Sequence, residues 1–469
     1  METRTHDNIL LLTDSYKLSH NRQYPEDAQH VFSYFESRIG AKYDYTLFFG
    51  LQYILKRYLE GNVLTQEKID QAESIARLHM GQFNKEGWEY ILEKHRGKLP
   101  VEIRAVPEGT RVPIDEVLMT VQNTDPEVPW LTNYLETILT HVWYPSTVAT
   151  ISSAVKESLA RGMDVSCDNL ETLPFKLHDF GFRGTSSCES AAIGGLAHLV
   201  NFQGTDTLPA LGLGMEYYGA GISGYSIPAS EHSTITSWGA ENELKAFKNM
   251  LDKYPTGLVA CVSDSYDIDR ACSEYWGKEL RNQILNRDGT LVVRPDSGEI
   301  VSMVLNVLNR LEQAFGSIKN KKGFKVLTPQ VRVIQGDGCT PETINEVITA
   351  MTEKKWSLDN IAFGMGGGLL QKLDRDTQRF AFKCSAINRG GVWHDVYKQP
   401  KSDPSKDSKR GRMSLFKDYD GTLYTAELGN IGDQMRTVFK DGELIINDTF
   451  DEVKKRAELS PISGSKVVN

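Results

Sequence analysis

Apolar runs in the second half of the chain are short, and each stops abruptly at a charged or glycine-rich cluster. Leu258–Val262 leads into Ser263-Asp264-Ser265-Tyr266-Asp267, and Leu291–Val293 into Arg294-Pro295-Asp296-Ser297-Gly298. Val331–Ile334 leads into Gln335-Gly336-Asp337-Gly338, and Ile361–Phe363 into Gly364-Met365-Gly366-Gly367-Gly368. The run ends at 263, 294, 335 and 364 lie 31, 41 and 29 residues apart, the length of a strand–helix unit in an α/β barrel, where the loops after the strands build the site. Helical stripes fill the intervals. Ile268, Ala271, Cys272, Tyr275, Trp276, Leu280 and Ile284 recur at i, i+3/i+4, as do Ile300, Val301, Val304, Val307, Leu308, Leu311 and Phe315. Thr340 is a good N-cap with Pro341 at the first helical position, ahead of Ile344, Val347, Ile348 and Met351. Strand, polar turn and helix in repetition predict a parallel sheet with crossovers.

Three upstream segments fit as further strands running into polar turns: Phe175–Leu177 into His178–Gly184, Leu199–Phe202 into Gln203–Thr207, and Gly224–Pro228 into Ala229–Ser233. Strand-like pieces also occur at Val31–Phe35, Phe380–Ile387 and Arg436–Phe439. The expected fold class is therefore α/β: an irregular TIM-like barrel over 166–380, with a mixed α/β domain (1–165) that the C-terminal segment (381–469) joins discontinuously. The basic stretch Pro400–Arg412 reads as a loop, and Ser460–Asn469 as a frayed tail.

Composition narrows the function classes. With 469 residues, 40% hydrophobic and 25% charged, the chain has ample material for two cores. A net charge of −9 supplies no overall electropositive field for nucleic acid, and no apolar stretch approaches the ~20 residues of a membrane span. Cys167, Cys188, Cys261, Cys272, Cys339 and Cys384 form no C-x-x-C or zinc spacing, which points to a reducing, cytoplasmic setting. The polar start, Met1–Asn8, is unlike a signal peptide.

The turns carry the chemistry. Gly336-Asp337-Gly338 and Gly364–Gly368 each precede a helix, where backbone N–H groups can approach a phosphate; tight βα turns also need glycine for purely backbone reasons. Asp264, Asp267, Asp296 and Asp337 suit ribose hydroxyls, a Mg²⁺ ion or a developing positive charge, and equally suit helix capping. His232 follows a strand end and is either catalytic or structural. The cations Lys398, Lys401, Lys406, Lys409, Arg410 and Arg412 form either a solvated surface or a flap over an anion.

These segments together resemble the nicotinamide/nicotinate phosphoribosyltransferase family, in its bacterial-type form. The resemblance rests on HDFGFRG (178–184), GTDT (204–207), YSIPASEHST (225–234), SDSYD (263–267), RPDSG (294–298) and QGDG (335–338), and runs from NILLLTDSYK (8–17) to about residue 459. Phe182 stands where Tyr is familiar, and Met365 where Ser is familiar. The resemblance implies a transferase that makes nicotinamide mononucleotide and pyrophosphate from nicotinamide and 5-phosphoribosyl 1-pyrophosphate, with Mg²⁺, in a homodimer with shared active sites. By motif match, Phe180 and Tyr16 of the second subunit sandwich the pyridine, with Arg183 and Asp206 at its amide. Arg294, Asp296, Gly336, Asp337, Gly367 and Arg375 hold the phosphoribosyl group, with Ser226, Ser263, Asp267 and Pro295 as further substrate contacts. Arg38, Lys383, Lys398 and Lys406 face the phosphates together with Arg183, His232 and Arg294. Catalysis falls to His232, Arg294 and Asp296, and Mg²⁺ has Asp296 and Asp337 as candidate ligands. His232 resembles the histidine that ATP phosphorylates to improve turnover.

Three other readings compete. A nicotinate-specific enzyme on the same fold would set a substrate carboxylate against Asp206, a repulsion of about 4 kcal/mol at ~4 Å and an effective dielectric of 20. A barrel glycoside hydrolase would use two of the Asp residues as acid and nucleophile. A non-catalytic binding protein would leave the combination of Arg183, Asp206, His232, Arg294 and Asp296 without a purpose.

Overall fold

The computed structural model describes residues 5–399, 401 and 407–459. The chain divides into two compact units, one formed by Met1–Thr150, Met215–Ala220 and Asp374–Asn469, the other by Ile151–Gly214 and Gly221–Leu373.

The first unit is built on a seven-stranded sheet to which both chain ends contribute. Its order is Val392–Asp395, Phe380–Arg389, Ala28–Ser37, Val117–Asn123, Val101–Ala105, Arg436–Lys440, Glu443–Leu444, with every neighbouring pair antiparallel. Phe35 stacks on Phe380 at 5.1 Å across the central pair, and Val31, Tyr34, Phe35, Val117 and Met119 are fully buried.

The second unit is an irregular parallel barrel. Six strands run in the order Gly204–Thr205, Leu177–Asp179, Ile361–Met365, Val331–Gln335, Asp288–Arg294, Thr256–Val262, and all adjacent pairs are parallel. The two outer strands do not pair with each other. The segment 225–230 lies between them, with Tyr225 bridged to Gly204 and Ala229 to Ala260. Four backbone hydrogen bonds fix it: Tyr225 N–H to Gln203 O at 2.7 Å, Thr205 N–H to Tyr225 O at 3.0 Å, Ala260 N–H to Pro228 O at 2.9 Å and Ser230 N–H to Ala260 O at 3.0 Å. The strand expected over Gly224–Pro228 is thus an extended segment that closes the ring through isolated bridges.

The crossovers follow the sequence pattern closely. Ile300–Phe315 buries Ile300, Val304, Val307, Leu308, Leu311 and Phe315. Pro341–Glu353 begins with Thr340 accepting from the Thr343 N–H at 3.2 Å. The helix after Asp267 widens to π geometry over Ala271–Glu279. One expected strand was wrong. Leu199 closes the helix Cys188–Leu199, and the strand is Gly204–Thr205; a short, mostly apolar run at a buried helix end has too few residues to show a strand period. No helix among the described residues is long and apolar enough to cross a membrane.

Candidate active site

The barrel encloses a cavity in which small inward residues stand among the larger Ile227 and Ile334. Ala229, Ala260, Val292 and Ala362 line a cavity of about 710 Å³ that runs from Phe175, Lys176 and Arg332 at the N-terminal strand ends to Phe180, Asp206 and Arg294 at the C-terminal ends. Filled barrels carry bulky branched side chains in these layers.

At the C-terminal mouth, the turn after Leu177–Asp179 is fixed by Asp179, which is buried and accepts from Gly181 N–H at 2.7 Å and from Thr205 Oγ1 at 3.2 Å. This presents the Phe180 ring against the two glycine turns. A Cβ on Gly364 would lie 1.9 Å from Phe180 Cε2, and one on Gly336 would lie 3.3 Å from it. Glycine at 364 is therefore a steric requirement of the ring's position. Beside the ring, at 5.0 Å between centroids, stands His178, whose Nε2 lies 2.9 Å from Asp206 Oδ1. Ser226 Oγ donates to the same oxygen at 2.5 Å. Burial raises the Asp206 pKa, but the His178 hydrogen bond and charge, Ser226 and the field of Arg294 outweigh it, holding the group below the usual carboxylate range.

The opposite side of the mouth is an acidic and basic cluster centred on Asp264. Its side chain is 3% exposed, and Oδ2 accepts from Asp296 N–H at 2.8 Å and Ser297 Oγ at 2.6 Å. Asp264 Oδ1 lies 3.2 Å from His232 Nε2, while His232 Nδ1 lies 3.8 Å from Asp296 Oδ2. Asp296 Oδ1 is 3.8 Å from Arg294 Nε, a buried atom without a hydrogen-bond partner among the described residues. A Cβ on Gly336 would approach Asp296 Oδ1 to 3.2 Å, so the Asp296 carboxylate sits over the glycine turn that carries exposed Asp337.

The barrel thus gathers Phe180, Asp206, Ser226, His232, Arg294, Pro295, Asp296, Gly336 and Asp337 at one set of strand ends. The turn of Arg183 joins them, since Gly184 lies close to Gly367. Two expected contacts have other duties. Ser263 is fully buried, donating to Cys261 O at 2.9 Å and accepting from Trp276 Nε1 at 3.1 Å. Asp267 accepts from Arg270 N–H at 3.0 Å as a helix N-cap, the alternative foreseen for some of the aspartates. Sequence reasoning missed His178 as the orienting partner of Asp206 and Asp264 as the hub of the cluster. The sequence does place both beside recognised turn residues, but their pairing is tertiary.

Tyr16, Arg38, Arg375, Lys383 and Lys398 belong to the other unit. Tyr16 is 55% exposed, Arg38 Nε donates to Arg379 O at 3.2 Å, and Lys398 N–H donates to Ser408 Oγ at 2.8 Å. Arg375 lies 3.8 Å from Asp376. Lys406 lies outside the described residues. Of the other basic-loop cations, Lys409 pairs with Glu36 and Asp115, Arg410 stacks over Tyr397 and Arg412 over Trp393.

No group of three or more His, Cys, Asp or Glu among the described residues forms a metal cage. Asp296 and Asp337 fit a weaker demand, because Mg²⁺ is commonly held by one or two carboxylates together with substrate phosphates and water.

Comparison with known proteins agrees with this geometry. Residues 175–443 match the model of the nicotinate phosphoribosyltransferase (NAPRTase) family, and residues 8–103 match the nicotinamide phosphoribosyltransferase N-terminal domain. The chain is 50% identical over 463 residues to the nicotinamide phosphoribosyltransferase of Xanthomonas campestris pv. campestris (strain 8004), covering 96% of this chain and 98% of the relative. It is 34% identical to the enzyme of that name from Acinetobacter baylyi, covering 96% and 97%. Among solved structures, the Pyrococcus furiosus nicotinate-nucleotide pyrophosphorylase superposes with TM-score 0.61 at 15% identity, covering 98% and 97%. Human nicotinic acid phosphoribosyltransferase gives TM-score 0.56 at 15% identity, covering 96% and 93%. The structural likenesses concern the fold alone.

Proposed function

The chain belongs to the nicotinate phosphoribosyltransferase (NAPRTase) family, and from that premise we propose that it joins nicotinamide to 5-phosphoribosyl 1-pyrophosphate in NAD salvage. The observation that carries the choice of base is the slot itself: a flat aromatic ring, Phe180, seated on glycines, with an ionised carboxylate, Asp206, at its edge. A carboxylate accepts the amide N–H of nicotinamide and repels the carboxylate of nicotinate.

The chemistry asks little beyond position and charge. The C1–oxygen bond of the donor breaks and its electron pair leaves with pyrophosphate. The pyridine nitrogen gives its lone pair to C1, and the product carries a pyridinium charge. The nitrogen has no proton to lose, so no general base is required. Asp296 stabilises positive charge developing on the ribosyl ring, and Arg294 orients the phosphoribosyl group. Asp296 and Asp337, together with the substrate phosphates, would hold Mg²⁺, which would supply charge neutralisation for the leaving group. Arg38, Lys383, Lys398 and Lys406 take the phosphates, an assignment that rests on the sequence resemblance, as do those of Arg183 and Arg375.

His232 receives a phosphoryl group from ATP in this proposal. Its imidazole is 47% exposed and flanked by Asp264 and Asp296; a ring nitrogen attacks the γ-phosphorus, ADP leaves and the ring N–H proton is lost. The added charge and acceptor oxygens organise the phosphate-binding cations. We further propose a homodimer in which exposed Tyr16 of one subunit faces the ring held by Phe180 of the other. All six cysteines are unpaired, which supports a cytoplasmic setting.

The test is formation of nicotinamide mononucleotide and pyrophosphate in equal amounts by the purified protein with Mg²⁺, and its loss in Arg294→Ala. Sugar release from a glycoside without the phosphoribosyl donor would instead support the hydrolase reading.

A further inference from the structure

Two lysines in the sheet-based unit stand near one buried carboxylate, and only Lys409 is paired with it. Glu36, on the strand Ala28–Ser37, is 2% exposed. Lys409 Nζ lies 2.6 Å from Glu36 Oε2 and 2.9 Å from Asp115 Oδ1, and the Lys409 N–H donates to the Tyr34 hydroxyl at 3.0 Å. Lys383 stands opposite Tyr34 in the adjacent strand, while Glu36 is opposite Ala381. Tyr34, Glu36 and Lys383 therefore share one face, with Lys383 in the diagonal position to Glu36 that a long side chain can reach. Yet Lys383 Nζ is buried and has no hydrogen-bond partner among the described residues. Burial lowers its pKa, Glu36 counters this, and Arg38, Lys409 and Lys398 lower it further. A buried ammonium with its donors unused is costly unless an anion arrives.

We propose that Lys409 is a positioning residue: by occupying Glu36 it keeps Lys383 unpaired and available to the phosphates of 5-phosphoribosyl 1-pyrophosphate. This rests on the reading of Lys383 as a phosphate ligand. Without Lys409, the carboxylate of Glu36 captures Lys383, and the substrate loses a charge-assisted contact.

Steady-state kinetics of the full-length enzyme test it. Lys409→Met should raise KM for the phosphoribosyl donor about tenfold, the effect of losing one charge-assisted hydrogen bond, with kcat and the KM for nicotinamide little changed. Lys409→Arg should behave as the native enzyme. The decisive variant is Lys409→Met with Glu36→Gln, which removes the competing carboxylate and should restore KM to within about threefold. A double variant as impaired as the single one would show that Lys409 merely anchors the chain, and would overturn the proposal. If Lys409→Met fails to fold, Glu36→Gln alone decides: Lys383 stays free, KM should hold, and a tenfold rise contradicts the idea. Lys383→Met separates the two layers. Raised KM there with none in Lys409→Met sinks only this proposal, whereas unchanged KM in Lys383→Met sinks the phosphate-ligand reading beneath it.

Discussion

Replacing Asp206 with asparagine removes one negative charge from the barrel mouth while keeping the size of the side chain and its capacity to accept from His178 and Ser226. In the native site one carboxylate oxygen takes both partners, at 2.9 and 2.5 Å, and the group is held ionised. A nicotinate carboxylate brought to ~4 Å would meet a repulsion of about 4 kcal/mol at an effective dielectric of 20. The Asp206 side chain is 48% exposed before substrate enters. Solvent screening halves that figure to about 2 kcal/mol, or roughly thirtyfold in kcat/KM. The native enzyme should therefore favour nicotinamide over nicotinate by at least about thirtyfold, the screened value. In Asp206→Asn the kcat/KM for nicotinate should rise about tenfold or more, while that for nicotinamide falls only a few-fold through a weaker hydrogen bond. Chromatographic separation of the two mononucleotides after initial-rate reactions with each base reads the ratio. A ratio identical in the native and Asp206→Asn enzymes would refute the argument, because it would place the selecting charge elsewhere.

Other consequences are equally direct. Gly364→Ala drives a methyl group to within 1.9 Å of the Phe180 ring, so the ring must move; KM for nicotinamide should rise tenfold or more with the donor KM less affected, and equal effects on both would mean the turn has collapsed. His232→Ala should abolish stimulation by ATP and slow transfer while nicotinamide mononucleotide still binds by calorimetry; stimulation that survives the change would make His232 structural. Mixed dimers of Tyr16→Ala and Phe180→Ala subunits should regain activity, since one complete site forms per dimer, and failure to complement would place both aromatics in one subunit's site. His198 concerns stability. Its ring is buried, with Nδ1 2.9 Å from Ser152 Oγ and Nε2 3.2 Å from Gly204 O. The carbonyl only accepts, so the neutral Nε2–H tautomer is fixed, and burial lowers the pKa from 6.5 to about 3. The unfolded chain then holds the extra proton below about pH 6.5, and stability should fall by ~1.4 kcal/mol per pH unit from this group between there and about pH 3. Urea melts at pH 7 and 5 should show a shallower loss in His198→Gln, and an unchanged slope would exclude His198 as the source.

The barrel was legible where periodicity is local. Thr340 and Pro341 mark a helix start by chemistry that needs no tertiary partner, and the four strand ends read at 263, 294, 335 and 364 fall within one residue of the observed ends at 262, 294, 335 and 365 because polar turns interrupt apolar runs. Leu199–Phe202 misled because so short a run at a buried helix end shows no strand period. Ring closure through Tyr225 and Ala229 rests on isolated bridges, which no strand propensity encodes. The cavity was signalled only in part, by small inward residues such as Ala260 and Ala362, and small residues are equally common at tight helix–sheet contacts. The turns named the site, whereas pairings across it did not follow from them. Asp264 as a hub, His178 on Asp206, and Lys409 folded onto Glu36 all join residues at least 28 positions apart.

The most direct trial of the whole account is a competition. The purified enzyme receives nicotinamide and nicotinate together in equal amounts, with Mg²⁺ and limiting 5-phosphoribosyl 1-pyrophosphate, and both mononucleotides are counted when the donor is spent. Pyrophosphate should equal the donor consumed, and nicotinamide mononucleotide should be in at least about thirtyfold excess, the screened charge discrimination at Asp206. Nicotinate mononucleotide as the main product, or donor consumed without either mononucleotide, would contradict the proposed function.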